Sequence, residues 1–163
     1  MWLKSKKGKV IAAVCLTAVI LLTAGIIYGL NHDPSGNKSG IQLDKNAVQY
    51  SAGKSAPAEQ TSISFPGYPD ITIKSTEQKI PIVLVNPEGN PCYFKFEAVL
   101  TETEEILLES GWVEPGKAIE GIALEKALQP GNYQLEIHIS TRSLDNGEAM
   151  NGGNIKTSLF VKE

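Results

Sequence analysis

Two cysteines and two histidines in 163 residues leave little material for thiol or transition-metal chemistry. Cys15 sits in an apolar run near the N-terminus and Cys92 in a patterned region far downstream, so a fold held by its own disulfide is excluded. His32 and His138 belong to no HxH or HExxH spacing. Serines are plentiful, yet none lies in a GxSxG or SxxK motif in a strand–turn–helix context, and no glycine-rich phosphate loop is present. A basic excess is missing too: 15 Lys and Arg meet 18 Asp and Glu, for a formal charge of -3. From Thr61 onward 8 basic side chains face 15 acidic ones, or -7, which argues against a nucleic-acid partner. No apolar helical stretch of ten or more residues separates the later segments, so a βαβ architecture is ruled out. These absences leave no catalytic, cofactor-binding or metal-ligating residue to assign, and the chain reads as a non-enzyme.

One long apolar run is present. Val10 to Leu30 reads VIAAVCLTAVILLTAGIIYGL, 21 residues without a charge. At 1.5 Å per residue it forms a helix of about 32 Å, which matches a hydrocarbon core of roughly 30 Å. Lys4, Lys6, Lys7 and Lys9 precede it, and Asn31, His32 and Asp33 come after it. The positive-inside rule then leaves residues 1–9 as a cytoplasmic basic tail, lays 10–30 through membrane lipid, and sends the remainder across. A cleaved signal peptide is the rival, with Thr23-Ala24-Gly25 as small residues at a cut site. Ile26, Ile27 and Tyr28 carry the apolar run past that point, so an uncleaved signal-anchor is the expectation. Gly25 and Gly29 form a GxxxG pair, which leaves a homo-oligomer open.

Residues 31–60 are rich in Gly, Ser, Asn, Pro and Lys, and read as a flexible tether. Within it, Ile41, Leu43, Ala47, Val48 and Tyr50 offer an alternative in which IQLDKNAVQY docks on the downstream domain.

Residues 61–163 read as strands nearly throughout. Ile63 with Phe65, then Ile71 with Ile73, alternate with polar neighbours, and Ile80 to Val85 is a continuous apolar stretch ending at Asn86-Pro87. Cys92, Phe94, Phe96, Ala98 and Leu100 point one way while Tyr93, Lys95 and Glu97 point the other. TETEE at 101–105 reads as an exposed turn, after which Ile106 to Glu109 returns, with Trp112 and Val113 close behind. Ile119 to Leu124 is the next strand, and Glu125 to Leu128 fits one helical turn. Tyr133, Leu135, Ile137 and Ile139 alternate, and after a loop over 144–154 so do Ile155, Thr157, Leu159 and Val161. Seven or eight short strands with punctuated turns predict an all-β, immunoglobulin-like β-sandwich, with a small barrel as the alternative. LQPGNY at 128–133 resembles a tyrosine corner, in which a phenol hydroxyl returns to the backbone at the crossover between sheets. Phe65, Phe94, Phe96, Trp112 and Phe160 are the large core candidates, and Cys92 reads as a small buried hydrophobe.

The remaining chemistry is sparse. His138 and Glu136 share a strand face, which is too few ligands for a metal. Asp145, Asn146, Glu148, Asn151 and Asn154 crowd one loop without EF-hand spacing, so a polar hairpin is preferred to a calcium site. Gly147, Gly152 and Gly153 suit turns with positive φ there. Glu102, Glu104, Glu105, Glu109 and Glu114 read as a solvated edge that resists aggregation.

FPGYPDITI, VLVNPEGNPCYFKFEAVL, ESGWVEPGKAIEGIAL and LQPGNYQLEI, with MNGG before the last strand, resemble small Firmicutes proteins encoded on chromosomes and conjugative elements. Those proteins pair an N-terminal membrane anchor with one extracytoplasmic β-domain of uncharacterised function, and the likeness covers most of residues 41–163. The resemblance implies location and architecture, and carries over no catalytic residue. Type IV pilin precursors resemble the chain only in outline, because the acid expected five residues after Gly8 is Ala13. The resulting expectation is a single-pass cell-membrane protein whose extracytoplasmic domain is an accessory module for an envelope protein partner. The alternative is a glycan- or small-solute-binding module built on Trp112, Tyr93 and Tyr68.

Overall fold

The computed structural model describes residues 40–50 and 62–163. The basic tail, the apolar run 10–30 and the tether segments 31–39 and 51–60 lie outside the described residues. Among those that are described, no helix is long and apolar enough to cross a membrane. The domain is all-β. Its strands are β1 (Val48–Gln49), β2 (Ile71–Lys74), β3 (Lys79–Asn86), β4 (Cys92–Leu100), β5 (Glu105–Val113), β6 (Lys117–Ala123), β7 (Gly131–Ser143) and β8 (Ala149–Lys162).

They form two sheets, one of three strands in the order β1-β6-β3 and one of five in the order β2-β8-β7-β4-β5. Every pairing between strands is antiparallel except the edge pair β2–β8, where Ile71 faces Leu159 and Ile73 faces Val161 in parallel register. One apolar cluster joins the sheets: Ile80, Ile82 and Leu84 of β3 and Ile119 and Ile122 of β6 share it with Phe94, Phe96, Leu135, Ile137 and Leu159. Alternation puts the β3, β4 and β7 side chains there, since a period of two sends every second residue inward, whereas Ile119 and Ile122 of β6 are three apart, with Gly121 at a positive φ between them. In β4, Cys92, Phe94, Phe96, Ala98 and Leu100 are all buried, as expected from their spacing. Phe65 stacks on Phe94 with ring centroids 5.5 Å apart, and Phe96 meets Phe94 edge-on at 5.9 Å.

Several expectations are corrected. Residues 41–50 follow the docking alternative rather than the tether and lie on the domain: Ile41 is buried, Leu43 bridges to Trp112 in parallel, and β1 pairs with β6. The backbone explains this docking. Trp112 N donates to Gln42 O, Asp44 N donates to Trp112 O, and Gly111 N donates to Asp44 Oδ2, so the segment covers part of the otherwise bare edge of β5. A Cβ on Gly111 would stand 2.9 Å from the Asp44 backbone, so this crossing requires glycine. Residues 63–65 are not a strand; the side-chain amide of Asn90 takes the place of a ladder partner, accepting from Ser64 N and donating to Ser64 O. Glu125 to Leu128 is irregular rather than helical, and Tyr133, further along the chain, donates its hydroxyl hydrogen to Gln129 O at 2.9 Å.

The loop expected over 144–154 is shorter, because β8 already starts at Ala149. Of its three glycines only Gly147 has a positive φ. Gly152 serves a close approach instead: between the Ile139 and Thr141 pairings the register slips, and a Cβ at Gly152 would lie 2.2 Å from Ile139 O. Trp112 and Phe160, expected in the core, are half-buried in β5 and β8 outside the buried cluster, and Phe65 remains more than a third exposed. Their strands turn Trp112 and Phe160 to the other face, and Phe94 and Phe96 carry the aromatic part of the core.

Candidate functional site

The most distinctive motif, NPEGNPC at 86–92, is architectural. Asn86 is fully buried and its amide donates to Cys92 O and Val113 O, tying the end of β3 to β4 and β5. Its carbonyl oxygen accepts from Asn90 Nδ2, which also holds Ser64 O. Both side-chain amides have partners on their nitrogen and their oxygen, which is the condition for burying amides without penalty. The motif therefore closes one end of the domain. Cys92 beside it is free and completely buried; desolvation pushes its thiol up to about 11, away from nucleophilic use.

The three aromatics of the glycan alternative do not form one row. Tyr68 packs against the core with its hydroxyl buried and unpartnered, and that burial raises its pKa. Tyr93 and Trp112 are half-buried on the outer face of the five-stranded sheet. There the guanidinium of Arg142 lies over the Trp112 ring, 5.3 Å from its centroid.

The rest of that face is a lattice of charge pairs. Lys95 Nζ donates to Glu109 Oε1 at 2.6 Å, and the ammonium holds the Glu109 carboxyl below the usual carboxylate range. His138 stands between two carboxylates, with Nδ1 3.0 Å from Glu97 and Nε2 3.5 Å from Glu136; Lys156 reaches Glu136 as well. His138 is on the outward face, as the alternation predicts. Among the described residues no group of three or more His, Cys, Asp or Glu is placed to hold a metal ion. In the acidic loop, Glu148 N donates to Asn146 Oδ1 and Asp145 N donates to Ser143 Oγ, while Asn151 and Asn154 belong to β8.

Where the β8 irregularity lies, the lattice gives way to a groove of about 360 Å³. Lys95, Trp112, Arg142 and Met150 provide its bulk. Ser140, Ala149 and Gly152 line it with little side chain, which is why the space exists. Register brings these residues together: Lys95 faces both Trp112 and Ser140, and Arg142 faces Tyr93 and Ala149. The groove combines two cations, an indole and a thioether, a set suited to binding and orienting a ligand. Of these residues, sequence reasoning singled out Trp112 and passed over Arg142, Lys95, Ser140 and Met150 as binding groups. A signal was present: Arg142 is the chain's one arginine among fourteen lysines. Compared with known proteins, the chain matches no family model and no curated protein.

Proposed function

We propose that the protein is an N-terminally anchored, extracytoplasmic interaction module: an immunoglobulin-like sandwich that holds a partner protein on the outer face of its five-stranded sheet and performs no chemistry of its own. The packing of a three-stranded on a five-stranded sheet and the Tyr133 hydroxyl bonded back to Gln129 support the immunoglobulin-like assignment. The uncharged run 10–30 behind four lysines supports the anchor and the orientation. So does the likeness to anchored Firmicutes β-domains. The observation that carries the interaction reading is the groove at Lys95, Trp112 and Arg142, an aromatic and arginine-bearing depression of the kind that anchors interfaces. Sugar stacking needs a bare aromatic face, and Arg142 occupies one face of Trp112.

The test is site-specific photo-crosslinking of the full-length chain in native membranes. A crosslinker at Ser140 is expected to give a discrete heavier adduct, whereas one at the exposed Lys126, in the loop after β6, gives monomer alone. Monomer at both positions overturns the reading.

A further inference from the structure

We infer that the groove is a receptor for an acidic peptide segment, with a carboxylate seated on Arg142 and Lys95 and an apolar neighbour against Met150 and Ala149; this rests on the interaction reading and names its partner's chemistry. Charge points to this ligand first. Among the ionisable side chains that β4 and β7 turn outward, Lys95, Glu97, Glu136 and His138 each have an ionisable partner within 4.0 Å. Arg142 has none among the described residues, although long cations on a sheet face ordinarily find a cross-strand carboxylate. The missing anion is what a ligand would bring.

Arg142 is also prepared for that anion. The guanidinium carbon lies 5.3 Å from the Trp112 centroid, a cation–π contact that uses no N–H donor and leaves those donors for another group. A guanidinium already held over a ring loses less rotamer freedom on binding than a solvated one. Planar, bidentate recognition of a carboxylate is the use to which such an arginine is best suited. Lys95 adds a second cation, held now by the exposed carboxyl of Glu109, which an incoming carboxylate can replace at little cost.

Size and surrounding charge favour a peptide over a polyanion. The groove is lined by apolar as well as polar groups, and its roughly 360 Å³ suits one or two side chains rather than a long chain. Residues 61–163 carry 8 basic against 15 acidic side chains, so an extended polyanion meets repulsion beyond the groove, while a short acidic segment is spared most of it beyond a Debye length of roughly 8 Å. Lys95, Trp112 and Arg142 also belong to paired strands of one sheet, so the three are fixed relative to one another before any ligand arrives.

The experiment uses the full-length chain in lipid nanodiscs with Trp2→Phe, so that Trp112 alone reports fluorescence. The probe is a blocked pentapeptide of alternating glutamate and leucine, compared with its glutamine counterpart and with dextran sulfate. The glutamate peptide is expected to shift Trp112 emission saturably, and the glutamine peptide to leave it unchanged. Arg142→Gln is expected to weaken the binding roughly ten- to a hundredfold with the melting temperature unaltered, and Arg142→Lys to restore only part of it. No saturable shift, equal binding by Arg142→Gln, or tighter Arg142-dependent binding of dextran sulfate overturns the assignment. The two readings fail separately: an adduct at Ser140 in membranes together with no peptide binding retains the interaction surface and removes its acidic ligand, whereas monomer at Ser140 with peptide bound removes the partner and retains the receptor.

Discussion

The two faces of β4 have opposite characters. Inward, Cys92, Phe94, Phe96, Ala98 and Leu100 are sealed in a core shared with residues of both sheets. Outward, Tyr93, Lys95, Glu97 and Val99 are only half-buried, and the charged pair among them is held by single carboxylate or imidazole contacts. One face is redundant and dry, so a lost group leaves a void that nothing refills. The other is wet, and water replaces most of what a substitution removes. Stability lives on the first face, and the recognition proposed above on the second.

The sharpest way to break that contrast is Phe96→Ala. It removes a fully buried ring that packs edge-on against Phe94, and chemical denaturation should show a loss of about 3–5 kcal/mol. A loss under about 1 kcal/mol would mean the core collapses onto the gap and is not close-packed.

Next in size is the alkaline limb of stability. Burial raises the Cys92 thiol from an ordinary 9.0 to about 11, so between those values the unfolded chain gives up its proton while the folded one keeps it. The contribution is fully present below pH 9 and is lost as the pH rises towards 11, roughly 2–3 kcal/mol in all. Tyr68, raised in the same direction, adds to the fall above pH 10. Cys92→Ala should flatten the slope between pH 9 and 10, measured by urea midpoints across the range. An unchanged slope in the variant would show that the thiol is not the titrating group.

The smallest effect belongs outside. Glu109→Gln takes the partner from Lys95 on an exposed edge, and the melting temperature should stay within error at physiological salt. A clear drop would show that the outer lattice contributes to holding the fold together.

The same division explains what was legible in the sequence. Strands β4, β7 and the end of β8 have a buried face, so hydrophobic alternation marked them nearly residue by residue. The turn at 101–104 was marked by its carboxylates, although the last of the expected stretch, Glu105, already opens β5. Three things left no such trace. β1 is two residues with both side chains exposed, held by backbone bonds that any sequence can make. Residues 63–65 carry a strand pattern but pair with one side chain, Asn90, instead of a ladder. The groove needs Arg142, Trp112 and Lys95 from three strands, and their nearness depends on register, which alternation alone does not specify for an outward face. Gly152 looked like turn material because close approach to a neighbouring carbonyl and a left-handed φ leave the same residue in the sequence.

The docking of residues 40–50 has a consequence for how the chain is made and loaded. This segment leaves the ribosome ahead of every other part of the domain, yet the groups it fastens to, Gly111, Trp112 and Gly116, come more than sixty residues later. It must wait until β5 and β6 exist, and so becomes a latch that closes well after it is made. Any tension arriving along the chain from before Gly40 reaches that latch first: it bears on Ile41, the Gln42 carbonyl and the Asp44 carboxylate before the cluster between the sheets is disturbed.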